Sequence, residues 1–109
     1  HPALGASWEG FCIEQIISLS EAREEECFTW SIQGGAEVDL VVVRPAGRFG
    51  FEFKVGDAPQ RTKSMMTALQ DLKLKKLFVV YPGSRDYALD DNLEVIGITN
   101  LMKAIAQLG

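Results

Sequence analysis

The chain has a single histidine, His1, at its first position, and two cysteines, Cys12 and Cys27, among 109 residues. A Cys/His zinc site needs about four such ligands, so a zinc site of that type is not expected. Ser/His and Cys/His nucleophilic catalysis both need an internal imidazole and are excluded for this domain on the same ground. Two cysteines do not make a disulfide framework, and a reducing cytoplasm is the expected setting. No apolar run approaches the roughly 20 residues of a membrane span, and no signal-peptide pattern opens the chain. A Walker loop, a GxGxxG motif, internal repeats and low-complexity tracts are all missing, so this stretch carries no nucleotide site.

What is present is the balance of one soluble globular domain over residues 1–109, with 47% apolar and 24% charged residues. The chain opens on His1-Pro2 in place of a methionine, which leads us to expect a piece cut from a longer polypeptide or the remnant of a tag. The net charge of −4 is unevenly spread. Glutamates 9, 14, 21, 24, 25 and 26 load the N-terminal segment, whereas Lys54, Arg61, Lys63, Lys73, Lys75 and Lys76 make the middle basic. Overall acidity argues against tight nucleic-acid binding by this domain alone, because neutralised phosphates supply most of such affinity.

Residues 2–25 have helical spacing, with Pro2 in the first turn. Leu4, Trp8, Phe11, Cys12, Ile13, Ile16 and Leu19 form an apolar arc. Glu9 falls between Ile13 and Ile16 on the helical wheel, a carboxylate at the edge of the buried arc that would pair with a cation or reach solvent. Cys27 to Ser31 reads as a short strand, and Gln33-Gly34-Gly35 turns the chain into a hairpin. Thr62 or Ser64 caps a helix through Met65, Met66, Ala68, Leu69 and Leu72. Lys76 to Tyr81 reads as a buried strand, Ser84 to Asn92 as an acidic loop, and Leu93 to Ile98 as a final strand. A short helix follows with Leu101, Met102, Ile105 and Leu108 inward. A strand, a helix and a strand over residues 48–81 call for a crossover between parallel strands. The order α-β-β-β-α-β-β-α then gives an α/β domain, a mixed sheet covered by helices.

The chain is organised around the hairpin formed by Glu37 to Val43, the turn Arg44 to Gly47, and Arg48 to Val55. Strict alternation puts Phe49, Phe51 and Phe53 on one side of the second strand, with Glu52 and Lys54 on the other. In the first strand it groups Val38, Leu40 and Val42, leaving Asp39 with Val41 and Val43. Asp39, Glu52 and Lys54 are thus embedded in the most hydrophobic stretch, where charges are costly unless paired or metal-bound. Two carboxylates on neighbouring strands can share one Mg²⁺ or Mn²⁺ through oxygen and water ligands, and a carboxylate from the helix, Glu9, would complete the shell. Lys54 would orient an attacking water or stabilise phosphate charge.

Val38-Asp39, followed after twelve intervening residues by Glu52-Phe53-Lys54, with Glu9 on the preceding helix, resembles the PD-(D/E)XK nuclease superfamily, with Val38 in place of the motif's proline. Over residues 3 to about 98 the chain is similar to the C-terminal domain of prokaryotic AAA-type ATPases, through Gly-Ala-Ser-Trp-Glu-Gly-Phe, Gly-Gly-Ala-Glu-Val-Asp-Leu, Gly-Phe-Glu-Phe-Lys and Val-Val-Tyr-Pro-Gly. The resemblance implies a restriction-endonuclease-like fold, with Asp39, Glu52 and Lys54 as catalytic residues and Glu9, Asp39 and Glu52 as ligands of Mg²⁺ or Mn²⁺. It implies DNA and the N-terminal ATPase portion of the same polypeptide as partners, and no membrane. Arg61 and Lys63 are candidate phosphate contacts, although a solvated helix surface is the plainer reading of both. Three functions remain open: metal-dependent phosphodiester hydrolysis, a catalytically silent module docking nucleic acid or protein, or a buried ionic network that only supports the fold.

Overall fold

Apolar spacing near the start of the chain produces helix α1, Leu4–Ser20, in a computed structural model that describes residues 4–56 and 58–109. The helix buries Cys12 and Ile16 completely and packs Trp8, Ile13 and Ile17 beside them. Phe11 and Leu19, expected inward, are exposed, because the buried arc is narrow and centred on Cys12 and Ile16. Pro2 and the side chain of Leu4 lie outside what is described. The helix ends short of the expected Glu25. Glu21 takes a left-handed conformation, φ 58°. Its N–H donates to Ser18 O and that of Ala22 to Ile17 O, the paired hydrogen bonds of a Schellman termination. Three further glutamates at the negative end of the helix dipole would oppose continuation. They form instead a 3-10 turn, Glu24–Glu26, in which Glu26 Oε1 accepts the Arg23 N–H at 2.7 Å.

The chain then runs through β1 (Cys27–Ser31), β2 (Glu37–Arg44), β3 (Gly47–Phe53), α2 (Lys63–Asp71), β4 (Lys76–Tyr81), β5 (Tyr87–Asp90), β6 (Leu93–Gly97) and α3 (Leu101–Ala106). The strands form one mixed sheet in the order β1-β2-β3-β4-β6-β5. β3 pairs parallel with β4 and β4 with β6, while the other neighbours are antiparallel. The parallel crossover around α2 is as expected, and Thr62 caps that helix by accepting the Met65 N–H. The segment read as an acidic loop contains an additional strand, β5, so the order is α-β-β-β-α-β-β-β-α. Aspartates at both its ends hide the alternation by which Tyr87 and Leu89 reach the core.

Helices cover both faces. α1 and α3 pack on Leu40, Val42, the phenylalanines of β3, Phe78 and Val80. On the other face α2 packs on Val38, Val41, Leu77, Val79 and Val95. Met102 of α3, expected inward, is exposed. The register corrects the alternation assumed for β2. Phe28 faces Val41 but Trp30 faces Val38, so β2 holds one extra residue there, a β-bulge. Val38 therefore packs with Val41 on the α2 face, and Leu40 with Val42 on the opposite face. Among the described residues no helix is long and apolar enough to cross a membrane.

Helix α2 ends as α1 does, with Lys73 at φ 53° and the bonds Lys73 N–H to Gln70 O and Leu74 N–H to Leu69 O. An L-residue there opposes its own Cβ, and glycine does not. Lys73 is exposed, so Lys73→Gly is expected to raise unfolding stability in urea by about 0.5–1 kcal/mol.

Candidate functional site

The bulge in β2 builds the site. The last paired residues of β2 and β3 in this direction are Leu40 and Phe51. Beyond them Asp39 Oδ2 accepts the Phe53 N–H at 2.9 Å. A side-chain carboxylate thus satisfies an amide that the ladder leaves free, and its orientation is fixed in return. On β3 the phenylalanines point to α1 and α3, so Glu52 and the following Lys54 emerge on the α2 side. Lys54 prolongs the parallel ladder, its N–H donating to Val80 O at 2.9 Å.

Glu52 is 6% exposed and is the one buried charged residue among those described. Its Oε2 lies 3.5 Å from Lys54 Nζ, whereas its Oε1 is buried without a hydrogen-bond partner. Burial is the main reason its carboxyl is pushed up from 4.5 to about 7. The Asp39 charge adds to the rise, Lys54 opposes it, and Glu37 contributes a little more. Asp39, Glu52 and Lys54 are therefore one electrostatic unit. Glu37 belongs to its fringe and was not singled out from the sequence. Its position two residues before Asp39 was the available signal.

Glu9 lies across an open cleft of about 300 Å³ that it lines with Trp30, Glu37 and Asp39. Glu52 is not part of that lining. Among the described residues no three His, Cys, Asp or Glu side chains converge closely enough to hold a metal ion unaided. A metal held here would rest on Asp39 and Glu52, with Glu9 on the far wall of the cleft.

A second wall comes from the loop after Lys54. Lys54, Val55, Pro59, Gln60 and Met65 line a cavity of about 240 Å³. Two bonds tie this loop to β5: Tyr87 OH donates to Pro59 O at 2.7 Å, and Arg61 Nη1 lies 3.0 Å from Asp90 Oδ2. Arg61 is thus already engaged by a carboxylate, whereas Lys63 is exposed at the start of α2. The sequence offers no signal for Tyr87, because its strand reads as a loop; Asp90 stands out there only as one of that loop's acidic residues, with Asp86 and Asp91. Asp86 is also occupied, its Oδ1 accepting from Gly97 N–H and Asn100 Nδ2.

The family model described as a domain of unknown function, DUF4143, matches residues 4–101. An uncharacterized protein of Mycobacterium tuberculosis, Rv2008c, and one of Mycobacterium bovis, Mb2031c, are each 40% identical to the chain over 96 residues. The match covers 88% of this chain but 21% of either relative, so the chain spans about a fifth of their length. No solved structure matches.

A carboxyl with a raised pKa in the folded chain binds its proton more tightly there than in the unfolded chain. The stability Glu52 contributes is therefore fully present below about pH 4.5 and is lost as pH rises through about 7. Without added metal, Glu52→Gln is expected to flatten the fall in stability across this window, by on the order of 2–3 kcal/mol. Urea unfolding of both proteins over a pH series measures the difference.

Proposed function

The chain belongs to the DUF4143 family of domains of unknown function, and from its site we propose a nuclease-like domain that hydrolyses phosphodiesters with Mg²⁺ or Mn²⁺. The carrying observation is Glu52, a buried carboxylate with an unpartnered oxygen beside Asp39 and 3.5 Å from Lys54. Such an arrangement is costly unless a cation fills it. An all-oxygen donor set suits a hard divalent ion. Asp39 and Glu52 would hold that ion, with Glu9 supporting it across the cleft. When bound, the ion lowers the pKa of its water and offsets phosphate charge.

The chain's own groups account for the remainder. The Phe53 amide holds the Asp39 carboxylate in one orientation. Lys54 keeps its ammonium beside Glu52 yet partly in solvent, where it would donate to a phosphate oxygen or orient the attacking water. Lys63 would meet a flanking phosphate, and Arg61 would do so on leaving Asp90. DNA is the substrate this reading favours. We further infer that the domain works in the cytoplasm attached to an AAA-type ATPase portion. The motif resemblance supports the attachment, and the mycobacterial relatives, roughly four times as long as this chain, leave room for such a portion.

A second reading, a catalytically silent docking module, is favoured by one observation: the described carboxylates do not converge as a ready threefold ligand set. Cleavage of single-stranded, duplex and branched DNA and RNA with Mn²⁺ separates the two. The nuclease reading predicts cleavage that falls about 100-fold or more in Glu52→Ala/Lys54→Ala. Equal activity in the variant, or none on any substrate, would overturn it in favour of the docking module.

A further inference from the structure

The two edges of the sheet are built differently. β5 is four residues long, has a register shift between Ala88 and Asp90, and carries aspartate at its end. These are the devices that keep an edge from pairing. β1, the other edge, reads Cys-Phe-Thr-Trp-Ser, with no charge, no proline and no lysine. Trp30 packs on the α2-side core, and Phe28 and Ile32, two residues to either side of it in the chain, are 39% and 42% exposed. α2 packs over β2 and β4 and leaves this stripe at the margin.

β1 also borders open clefts, which Phe28 and Trp30 help to line. Two adjoining clefts of about 340 and 300 Å³ run between β1 and α1, sharing Ile13, Thr29 and Asp39. Their floor is apolar, from Ile13, Ile17 and Leu40, and their ends are acidic, with Glu24 at one and Glu9 and Glu37 at the other. Residues 21–37 hold five glutamates and one arginine, a surplus equal to the whole chain's net charge of −4. The arginine, Arg23, is held by Glu25 and Glu26. Phosphates are repelled here, and a second copy would bring the same glutamates to the junction.

We propose that β1 receives, as a seventh strand, an extended polypeptide segment of about five apolar or β-branched residues with lysine or arginine at both ends. The backbone of the segment pairs with the free edge of β1. Its side chains enter the groove against α1 and cover Phe28, Trp30 and Ile32, and the terminal cations meet Glu24 and Glu37. The proposal stands apart from the nuclease reading, although the shared groove brings the segment alongside Asp39.

The probe is a fluorescein-labelled synthetic peptide, Lys-Lys-Val-Thr-Val-Thr-Val-Lys-Lys, titrated into the domain and followed by anisotropy and by amide chemical shifts. Saturable binding is expected, with shifts centred on Cys27 to Ile32. Affinity should fall about tenfold or more in Phe28→Lys/Thr29→Lys and in Glu24→Lys/Glu25→Lys. All four positions are exposed, and circular dichroism checks that both variants fold. A peptide with glutamate in place of lysine should not bind. No saturation up to about 1 mM, binding indifferent to Phe28→Lys/Thr29→Lys, or shifts centred on Lys54 would each overturn the proposal. So would a concentration-dependent dimer, seen by sedimentation, that this variant abolishes, since the occupant would then be a second copy.

Discussion

The hydrogen bond from the Phe53 amide to the Asp39 carboxylate marks the place where two β-strands stop pairing. An extra residue in β2 makes the departure necessary, since it breaks the register with β1 between Phe28 and Trp30. The bulge turns Val38 into the α2-side core and leaves a carboxylate where a backbone carbonyl would otherwise accept. Glu52 follows on the neighbouring strand, buried beside that negative charge and only partly neutralised by Lys54. The same local break that completes one core thus concentrates charge in the sheet.

Much of this was legible in the sequence because it is local. Alternation over Phe49, Phe51 and Phe53 fixed the faces of β3 and so placed Glu52 with Lys54. Thr62 and Ser64 both marked the start of α2, of which Thr62 is the cap, and the strand-helix-strand spacing announced the parallel pairing of β3 with β4. What was not legible depends on distant partners. The bulge in β2 is visible only against β1, so alternation put Val38 and Leu40 on the same face. β5 carries aspartate at its end because it is an edge strand open to water, and acidic composition reads as loop. Phe11, Leu19 and Met102 match their helices' apolar spacing, but they lie off the buried stripe and stay exposed, Leu19 and Met102 at the wall of an open cavity between α1 and α3.

The charges of the domain divide by place, and the division orders its two proposed activities. Lys54 and Lys63 stand on the α2 side of the Asp39–Glu52 pair, next to the loop that Tyr87 and Arg61 fasten to β5. Glu9, Glu24 and Glu37 stand along β1 and α1. On the nuclease reading a phosphate-bearing substrate would meet the first side, and Glu24 and Glu37 would keep it from the far part of the second. A basic peptide is favoured on the second. Asp39 lies between, lining the groove while holding its bond to Phe53.

The most direct test of the central claim, that Asp39 and Glu52 together hold a divalent cation, is thermal unfolding at pH 8 with and without Mn²⁺. At about 100 times its dissociation constant, an ion bound only to the folded chain adds about 2.7 kcal/mol, or roughly 10–15 °C in Tm. The wild-type domain should show that rise and Asp39→Asn/Glu52→Gln should not. An unshifted wild type, or an equal rise in both proteins, would contradict the account.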